Sequence, residues 1–468
     1  MLKRIPFPDY APDQPLTADN SSSVIAAATG YRPLGSFSPV TSALAGILGG
    51  AAYVGNDGGT ALLAGTATNI YHYVSSAWTS VLGSLTATNW RFDQFNNYII
   101  GVNGDDPVRY DMAAGTAITL PGSPPKSSMV ATIRNQVFLA GDPADRSAVS
   151  ISGYDDCNGW TAGTNQSLYV PFPSGGEIMG LAGGETGIIL QQRSVRRAIY
   201  TGDITVWQFD EISRDVGCMA KGSVAQAGQY VFFLSDQGFK MCDRNEVIPI
   251  GSEAVDRAFF SEFARTEIID NIRTAVDPRA TEVVWAMPGN PGYVLRYNWT
   301  LRKWSPPARI AVKSVFQGFT LSFSLEDLDT LYPSGLDSIP VSLDSTMFAG
   351  GAPLLFAVNN SDVVGTLTGS NTAATIAIPP IEVEPGKRVR IRGARLVGDA
   401  VEGTVTIDQR ARAGDAEVVR VSGSIRNNGR VPLRANGRHI GISASIPAGA
   451  VWTYAHGIDL EYTIEGGR

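Results

Sequence analysis

The residue types that most often do chemistry are sparse and scattered in this chain. The three histidines, His72, His439 and His456, lack the HxH or HExxH spacing of a zinc site. There is no P-loop, no strand-linked GxGxxG and no GxSxG elbow. The adjacent carboxylates Asp155 and Asp156 could belong to a glycoside-hydrolysing pair, but a solvated turn explains them more simply. The sequence therefore predicts no enzyme, no metal site and no other cofactor.

The cysteines point to the same conclusion. Cys157, Cys218 and Cys242 are odd in number and unrelated in spacing, and Cys242 falls within a predicted strand. A disulfide framework needs paired cysteines, so these are expected to be reduced thiols packed in the interior, as in a protein made in a cytosol.

Charge is concentrated in two places. Residues 314–386 contain no Lys or Arg, and this interval carries the candidate channel or gate residues Glu326, Asp327, Asp329, Asp337 and Asp344. Farther on, Arg388, Arg390 and Arg392 alternate with apolar residues, which on a strand places three guanidinium groups on one face. These arginines are candidates for a contact within a ring or with an adaptor. Solvated surface is the alternative for both groups.

The elements that must position these residues are best seen in residues 223–250. This stretch predicts four short strands, at 223–227, 230–234, 239–243 and 246–250, joined by tight turns rich in Gly, Asp and Asn. The second strand is apolar throughout, which indicates a sheet buried on both faces. A sheet of this size cannot cover its own two faces. It must therefore stack on copies of itself.

Such copies are present. Counterparts of the second strand occur at 98–102, 136–140, 187–190 and 282–286, and the starts of the five lie 38 to 52 residues apart. A repeat of about 40 to 50 residues made of four short strands is typical of a β-propeller blade. We therefore predict an all-β fold with a propeller of about six blades; a multi-domain β-sandwich is the alternative.

Three regions follow from this pattern. Residues 1–40 are predicted to be an extended, Pro-rich N-terminal arm, docked on its own chain or on a neighbour. Residues 41–370 are predicted to form the propeller, with a short helix near 252–264 that Ser252 caps, while 313–370 complete a seventh blade or strap the ring closed. Residues 371–468 form a small C-terminal β-sandwich or platform.

Composition limits the partners. The net charge is −7 and only 17% of residues are charged, so the chain as a whole is not a basic nucleic-acid binder. The N-terminus has no apolar signal core, and no apolar run reaches about 18 residues, so neither a signal peptide nor a membrane span is expected.

The order of several short motifs carries a family resemblance. From residue 1 to 305 the succession resembles the tail nozzle proteins, or packaged-DNA stabilisation proteins, of short-tailed bacteriophages. The motifs, in order, are GYRP at 30–33, RFDQF at 91–95, YIIGVNG at 98–104, GSPP at 122–125, YTG at 200–202, FDEIS at 209–213, FLSDQGF at 233–239, IGSE at 250–253, DP at 277–278, YN at 297–298 and KWS at 303–305.

This resemblance implies a structural virion protein of the tail, assembled in the host cytoplasm. It would form a hexameric ring below the portal-adaptor protein, extend and close the DNA exit channel, and anchor a tail needle, fibre or spike proteins. Double-stranded DNA would pass through without sequence specificity, and six acidic subunits would offer it few cations. A receptor-binding or glycan-binding or -cleaving propeller of the tail is the alternative.

Overall fold

The computed structural model describes residues 1–14, 21–202, 206–320, 335, 351–412, 419–426 and 429–465. Within them the chain is almost entirely β-structure. It begins with four short strands, β1 (Leu2–Pro6), β2 (Val24–Ala26), β3 (Tyr31–Pro33) and β4 (Ser38–Ala43).

Six four-stranded antiparallel sheets follow, each with its strands in sequence order. They are β5–β8 (Gly49–Val54, Thr60–Gly65, Ile70–Val74, Ala77–Leu82), β9–β12 (Arg91–Phe95, Tyr98–Val102, Val108–Asp111, Thr116–Thr119), β13–β16 (Met129–Ile133, Gln136–Ala140, Ala148–Ile151, Leu168–Pro171), β17–β20 (Ile178–Ala182, Thr186–Gln191, Val195–Tyr200, Trp207–Ser213), β21–β24 (Ala225–Ala227, Tyr230–Ser235, Gly238–Cys242, Val247–Pro249) and β25–β28 (Arg273–Asp277, Glu282–Met287, Gly292–Asn298, Lys303–Ile310).

A seventh sheet is assembled from distant parts of the chain. It consists of β29 (Val312–Phe319), β30 (Pro353–Asn359), β31 (Val363–Thr366) and the N-terminal strand β4. β4 runs antiparallel to β31, with Ser38 opposite Thr366 and Ala43 opposite Val363. The first strand of this sheet also contacts β5, the first strand of the first sheet, so the seven sheets close into a ring.

Each sheet is a blade because both of its faces are covered by its neighbours. In β22, Val231 and Phe233 pack in one cluster with the fourth blade, whereas Phe232 and Leu234 pack in another with the sixth blade. Side chains alternate along a strand, so successive apolar residues serve opposite neighbours. The predicted all-β propeller is confirmed. The described residues of 313–370 supply β29, β30 and β31 to a seventh blade, so the predicted number of about six blades is one too low.

Two helices of seven residues each, α1 (Asp256–Glu262) and α2 (Arg265–Asn271), lie between the fifth and sixth blades. The predicted capping of the helix by Ser252 is wrong, since α1 begins at Asp256 and Val255 precedes it. Its cap comes from far away in sequence: the N–H groups of Arg257 and Ala258 donate to the Asp13 carboxylate at 2.7 and 2.8 Å. Neither described helix approaches the about 20 apolar residues that span a bilayer.

The C-terminal part is a sandwich of two sheets. Its strands are β32 (Ala374–Glu382), β33 (Arg388–Gly398), β34 (Thr404–Arg410), β35 (Val419–Ser424), β36 (Arg430–Val431), β37 (Ala435–Gly437), β38 (His439–Ile446) and β39 (Ala455–Glu465). One sheet has the order β32-β38-β34-β35, and the other is built on the long pair β33 and β39.

The N-terminal segment, predicted as an extended arm, is part of this sandwich. β1 pairs with β39 from Leu2 opposite Glu461 to Pro6 opposite Gly457, and β2 and β3 extend the same sheet. Ile5 and Tyr31 are buried in the sandwich core. The open question of where the arm docks is therefore answered for the described residues: it docks on its own chain.

Candidate functional site

The three candidate arginines lie on the exposed face of β33. Arg388, Arg390 and Arg392 are exposed, while Val389 and Ile391 between them are completely buried in the sandwich core. The alternation in the sequence thus corresponds to the two faces of the strand. Whether the arginines contact another subunit or an adaptor stays a prediction.

Two of these arginines have no partner within the described parts of the chain. Arg388 donates from Nε to Asn436 Oδ1 at 2.9 Å, but Arg390 and Arg392 make no ion pair or hydrogen bond there. Arg4 and Arg430 of the same sheet do form ion pairs, with Asp459 and Glu461. The exposed face of β33 therefore carries two guanidinium groups that have no ion-pair partner among the described residues.

The five acidic candidates lie outside the described residues. Glu326, Asp327, Asp329, Asp337 and Asp344 belong to the connection between β29 and β30 in the seventh blade. The base of this connection is described: Thr320 N–H donates to Ala352 O at 2.7 Å, and Gly351 N–H donates to Thr320 O at 2.9 Å. A channel or gate role for the acidic residues stays a prediction.

The propeller axis holds a cavity of about 250 Å³ that receives residues from every blade. Its charged lining residues are Arg91, Lys221 and Arg273, and none of the described lining residues is Asp or Glu. Arg91 and Arg273 are the first residues of β9 and β25, while Lys221 shortly precedes β21. The first strands of all blades run in the same direction along the axis, so Arg91 and Arg273 lie at the same mouth of the cavity. Lys221 lies beside them, since a Cβ atom on the adjacent Gly222 would be 3.2 Å from Arg273 Nη1.

The pKa values of these cations are lowered, as expected for positive groups that are buried close together. Burial, reinforced by the charge of Arg273, lowers the pKa of Arg91 to about 10. Burial also lowers the pKa of Arg273 and of Lys221, and Arg91 contributes to the lowering at Lys221, whereas Glu177 opposes it. At neutral pH, well below its pKa of about 10, Arg91 remains charged.

This axial group was missed by the sequence analysis. The three residues are 52 to 182 positions apart, and no local motif joins them. A usable indication did exist, because Arg91 and Arg273 each begin the first strand of a predicted blade and radial stacking brings such positions to the axis.

Other residues considered for chemistry have structural roles. The Asp156 carboxylate accepts a hydrogen bond from Asn158 N–H at 2.8 Å within its own turn, and His72 Nδ1 lies 3.0 Å from the Tyr110 hydroxyl. All three cysteines are free and buried. In the described portion of the chain, no three His, Cys, Asp or Glu side chains group as a metal site requires.

No family model matches this chain, and no curated protein matches its sequence. Among solved structures, it is similar to the extracellular domain of BT4673 from B. thetaiotaomicron, with 10% identity, a TM-score of 0.43 and coverage of 82% of this chain and 47% of that one. It is also similar to the RRP9 WD40 repeats, with 11% identity, a TM-score of 0.41 and coverage of 61% and 88%. The chain thus spans about half the length of the BT4673 domain. At such identities the likeness concerns the course of the backbone and not side-chain chemistry.

Proposed function

We propose that this protein is a structural subunit of a virion tail, of the nozzle type, that assembles into a hexameric ring below the portal-adaptor protein. The ring extends and closes the DNA exit channel and anchors a needle, fibre or spike proteins. The observation that carries this proposal is the pair of uncompensated arginines, Arg390 and Arg392, on the exposed sheet of a sandwich fused to a closed propeller.

Isolated charges on a protein surface favour contact with an oppositely charged partner. Two guanidinium groups held side by side on one strand face repel each other, and they gain energy only when an anionic partner approaches. Arg also forms bidentate bonds to carboxylates, which suits a contact between subunits. A net charge of −7 supplies abundant acidic surface on each neighbouring subunit.

The connection between the propeller and the sandwich also supports a structural role. The N-terminal strands complete both parts, because β1, β2 and β3 belong to the sandwich and β4 belongs to the seventh blade. Arg32 of β3 pairs with Glu282 of the sixth blade at 2.7 Å, and Ala26 N–H donates to Ser305 Oγ at 2.9 Å. These contacts tie the sandwich sheet to the propeller, as the proposed role in a channel wall would require.

The test is assembly. We expect the purified protein to form sixfold rings with a central opening by electron microscopy, and a hexamer by light scattering. Replacing Arg390 and Arg392 together with Glu should yield folded monomers because it inverts the charge of the contact. The matched control is Arg279→Glu, at an exposed position in a propeller turn, which should leave the rings intact.

The competing function, a glycan-binding or glycan-cleaving propeller, predicts different results. Glycan cleavage usually needs two carboxylates across a pocket, and the described lining of the axial cavity has none. A protein that stays monomeric at all concentrations and gains thermal stability with an oligosaccharide would refute the nozzle proposal and favour this alternative.

A further inference from the structure

We infer that the mouth of the propeller cavity formed by Arg91, Lys221 and Arg273 is a binding site for a small oxyanion with at least two negative charges, of the phosphate class. This site is separate from the proposed ring lumen, since a cavity of about 250 Å³ cannot admit a DNA duplex. It therefore does not depend on the proposed assembly.

The three cations at the mouth of the cavity are not balanced by nearby carboxylates. Neither Arg91 nor Lys221 forms an ion pair within 4.0 Å in the described part of the chain, and Arg273 donates only to the carbonyls of Asp270 at 3.1 Å and Ile272 at 2.9 Å. Glu177 is the acidic group that influences Lys221, but its carboxylate is bound to Arg146 at 2.9 Å. Three cations thus converge with no carboxylate among the described lining residues.

The location of these cations in a cavity favours the binding of an anion. A narrow, partly enclosed cavity strengthens their field, because less water screens them than at an open surface. Keeping like charges there is unfavourable without an anion, and a bound oxyanion would neutralise them. Arg forks and the Lys ammonium are the side chains that bind phosphoryl oxygens in proteins.

The experiment is calorimetric titration of the full chain with inorganic phosphate, with pyrophosphate and with glycerol phosphate, at a constant ionic strength set with chloride. We expect saturable binding of one anion per chain. Arg91→Gln and Arg273→Gln should each raise the dissociation constant at least about tenfold, since each removes a charge from a poorly screened site. Preference among the probes shows whether free phosphate or a phosphomonoester is the better ligand.

The matched control is Arg214→Gln, because Arg214 is an exposed arginine of the same propeller whose side chain is 83% accessible. It should bind phosphate as the unchanged protein does. Lys221→Met provides a third test if either arginine variant fails to fold. In chloride alone the folded variants should be at least as thermally stable as the unchanged protein, because repulsion at the mouth is relieved.

Two results would overturn the inference. One is the absence of saturable binding of any of the three probes to the unchanged protein. The other is equal binding to the unchanged protein and to the folded variants of Arg91, Arg273 or Lys221, which would mean adventitious association with other basic surface.

Discussion

Glu282 shows how one residue can join two parts of this chain. Its side chain is completely buried and pairs with Arg32 of β3 at 2.7 Å and with Arg296 of β27 at 3.2 Å. Arg296 is buried as well, with 6% of its side chain exposed, whereas Arg32 reaches solvent. A buried carboxylate of this kind is tolerated only because both cations neutralise it.

Replacing Glu282 with Gln should therefore be strongly destabilising. The change leaves Arg296 as an uncompensated buried cation, and such losses cost about 3 to 5 kcal/mol. Urea unfolding should detect this as a lower midpoint. Glu246→Gln, at an exposed position of a blade turn, should change stability by less than about 0.5 kcal/mol. Similar midpoints for the two variants would contradict this account.

Asp93 introduces a pH dependence into the propeller. Its carboxylate accepts hydrogen bonds from the N–H groups of Gln94 and Thr132, yet burial raises its pKa from 3.8 to about 6. Between these two pH values the folded protein holds a proton that the unfolded chain has released. The contribution of Asp93 to stability is therefore fully present below pH 3.8 and is lost as pH rises from there through about 6.

We expect this contribution to be about 3 kcal/mol at most, since the shift is about two pKa units. Thermal unfolding of the unchanged protein and of Asp93→Asn should be compared at pH 5 and pH 7.5. The variant cannot titrate at this position, so it should lose stability less steeply between the two pH values. An identical pH dependence for both proteins would show that Asp93 does not titrate in this range.

Among the elements, β4 has the most consequential position. It supplies the outer strand of the seventh blade, and Val364 N–H of β31 donates to Thr41 Oγ1 at 3.2 Å. A strand from the start of the chain thus holds the last blade in place. β4 covers the edge of β31, which would otherwise be open to pairing with other chains.

Gly365 in β31 allows this closure because the backbone of Ser38 and the ring of Phe37 approach it closely. A Cβ atom there would lie 2.3 Å from Ser38 O and 2.5 Å from the Phe37 ring. Gly365→Ala should therefore push β4 away and cost about 1 to 3 kcal/mol, measured as a lower midpoint and faster hydrogen exchange in β4. Gly441→Ala is the control, since its Cβ would lie 3.4 Å from the nearest atom. Equal effects at the two glycines would argue against a tight closing strand.

At the scale of the whole molecule, stability depends on the contacts between blades. The apolar clusters lie between neighbouring sheets, and no described blade covers its own faces. Breaking any one contact exposes apolar surface on two blades at once. The ring is therefore expected to open as a unit.

The cysteines can report on this opening. Cys218 and Cys242 lie in the cluster between the fourth and fifth blades, and Cys157 lies between the second and third. Burial raises the pKa of all three thiols, to about 11 for Cys218, which further lowers their reactivity. A disulfide reagent should find no reactive thiol in the native protein and three per chain in urea, all appearing in one transition. Reaction of Cys157 well before the other two would show that the blades open separately.

The blade pattern could be predicted from the sequence because the four strands of a blade are consecutive in the chain. The predicted second strands at 98–102 and 136–140 are β10 and β14 with the same bounds, since tight turns and continuous apolar runs act over fewer than ten residues. The face of Arg388, Arg390 and Arg392 was predictable for the same reason, as side chains alternate along a strand.

Only the tertiary structure decided how distant segments meet. The pairing of β4 with β31, the cap of α1 by Asp13 and the convergence of Arg91 with Lys221 and Arg273 join residues 52 to more than 320 positions apart. No local pattern encodes such contacts, because each depends on the closure of the whole ring or on the docking of the sandwich. The sequence by itself determined the repeating unit and its two apolar faces, and the folded chain determined the number of units and the cavity that they enclose.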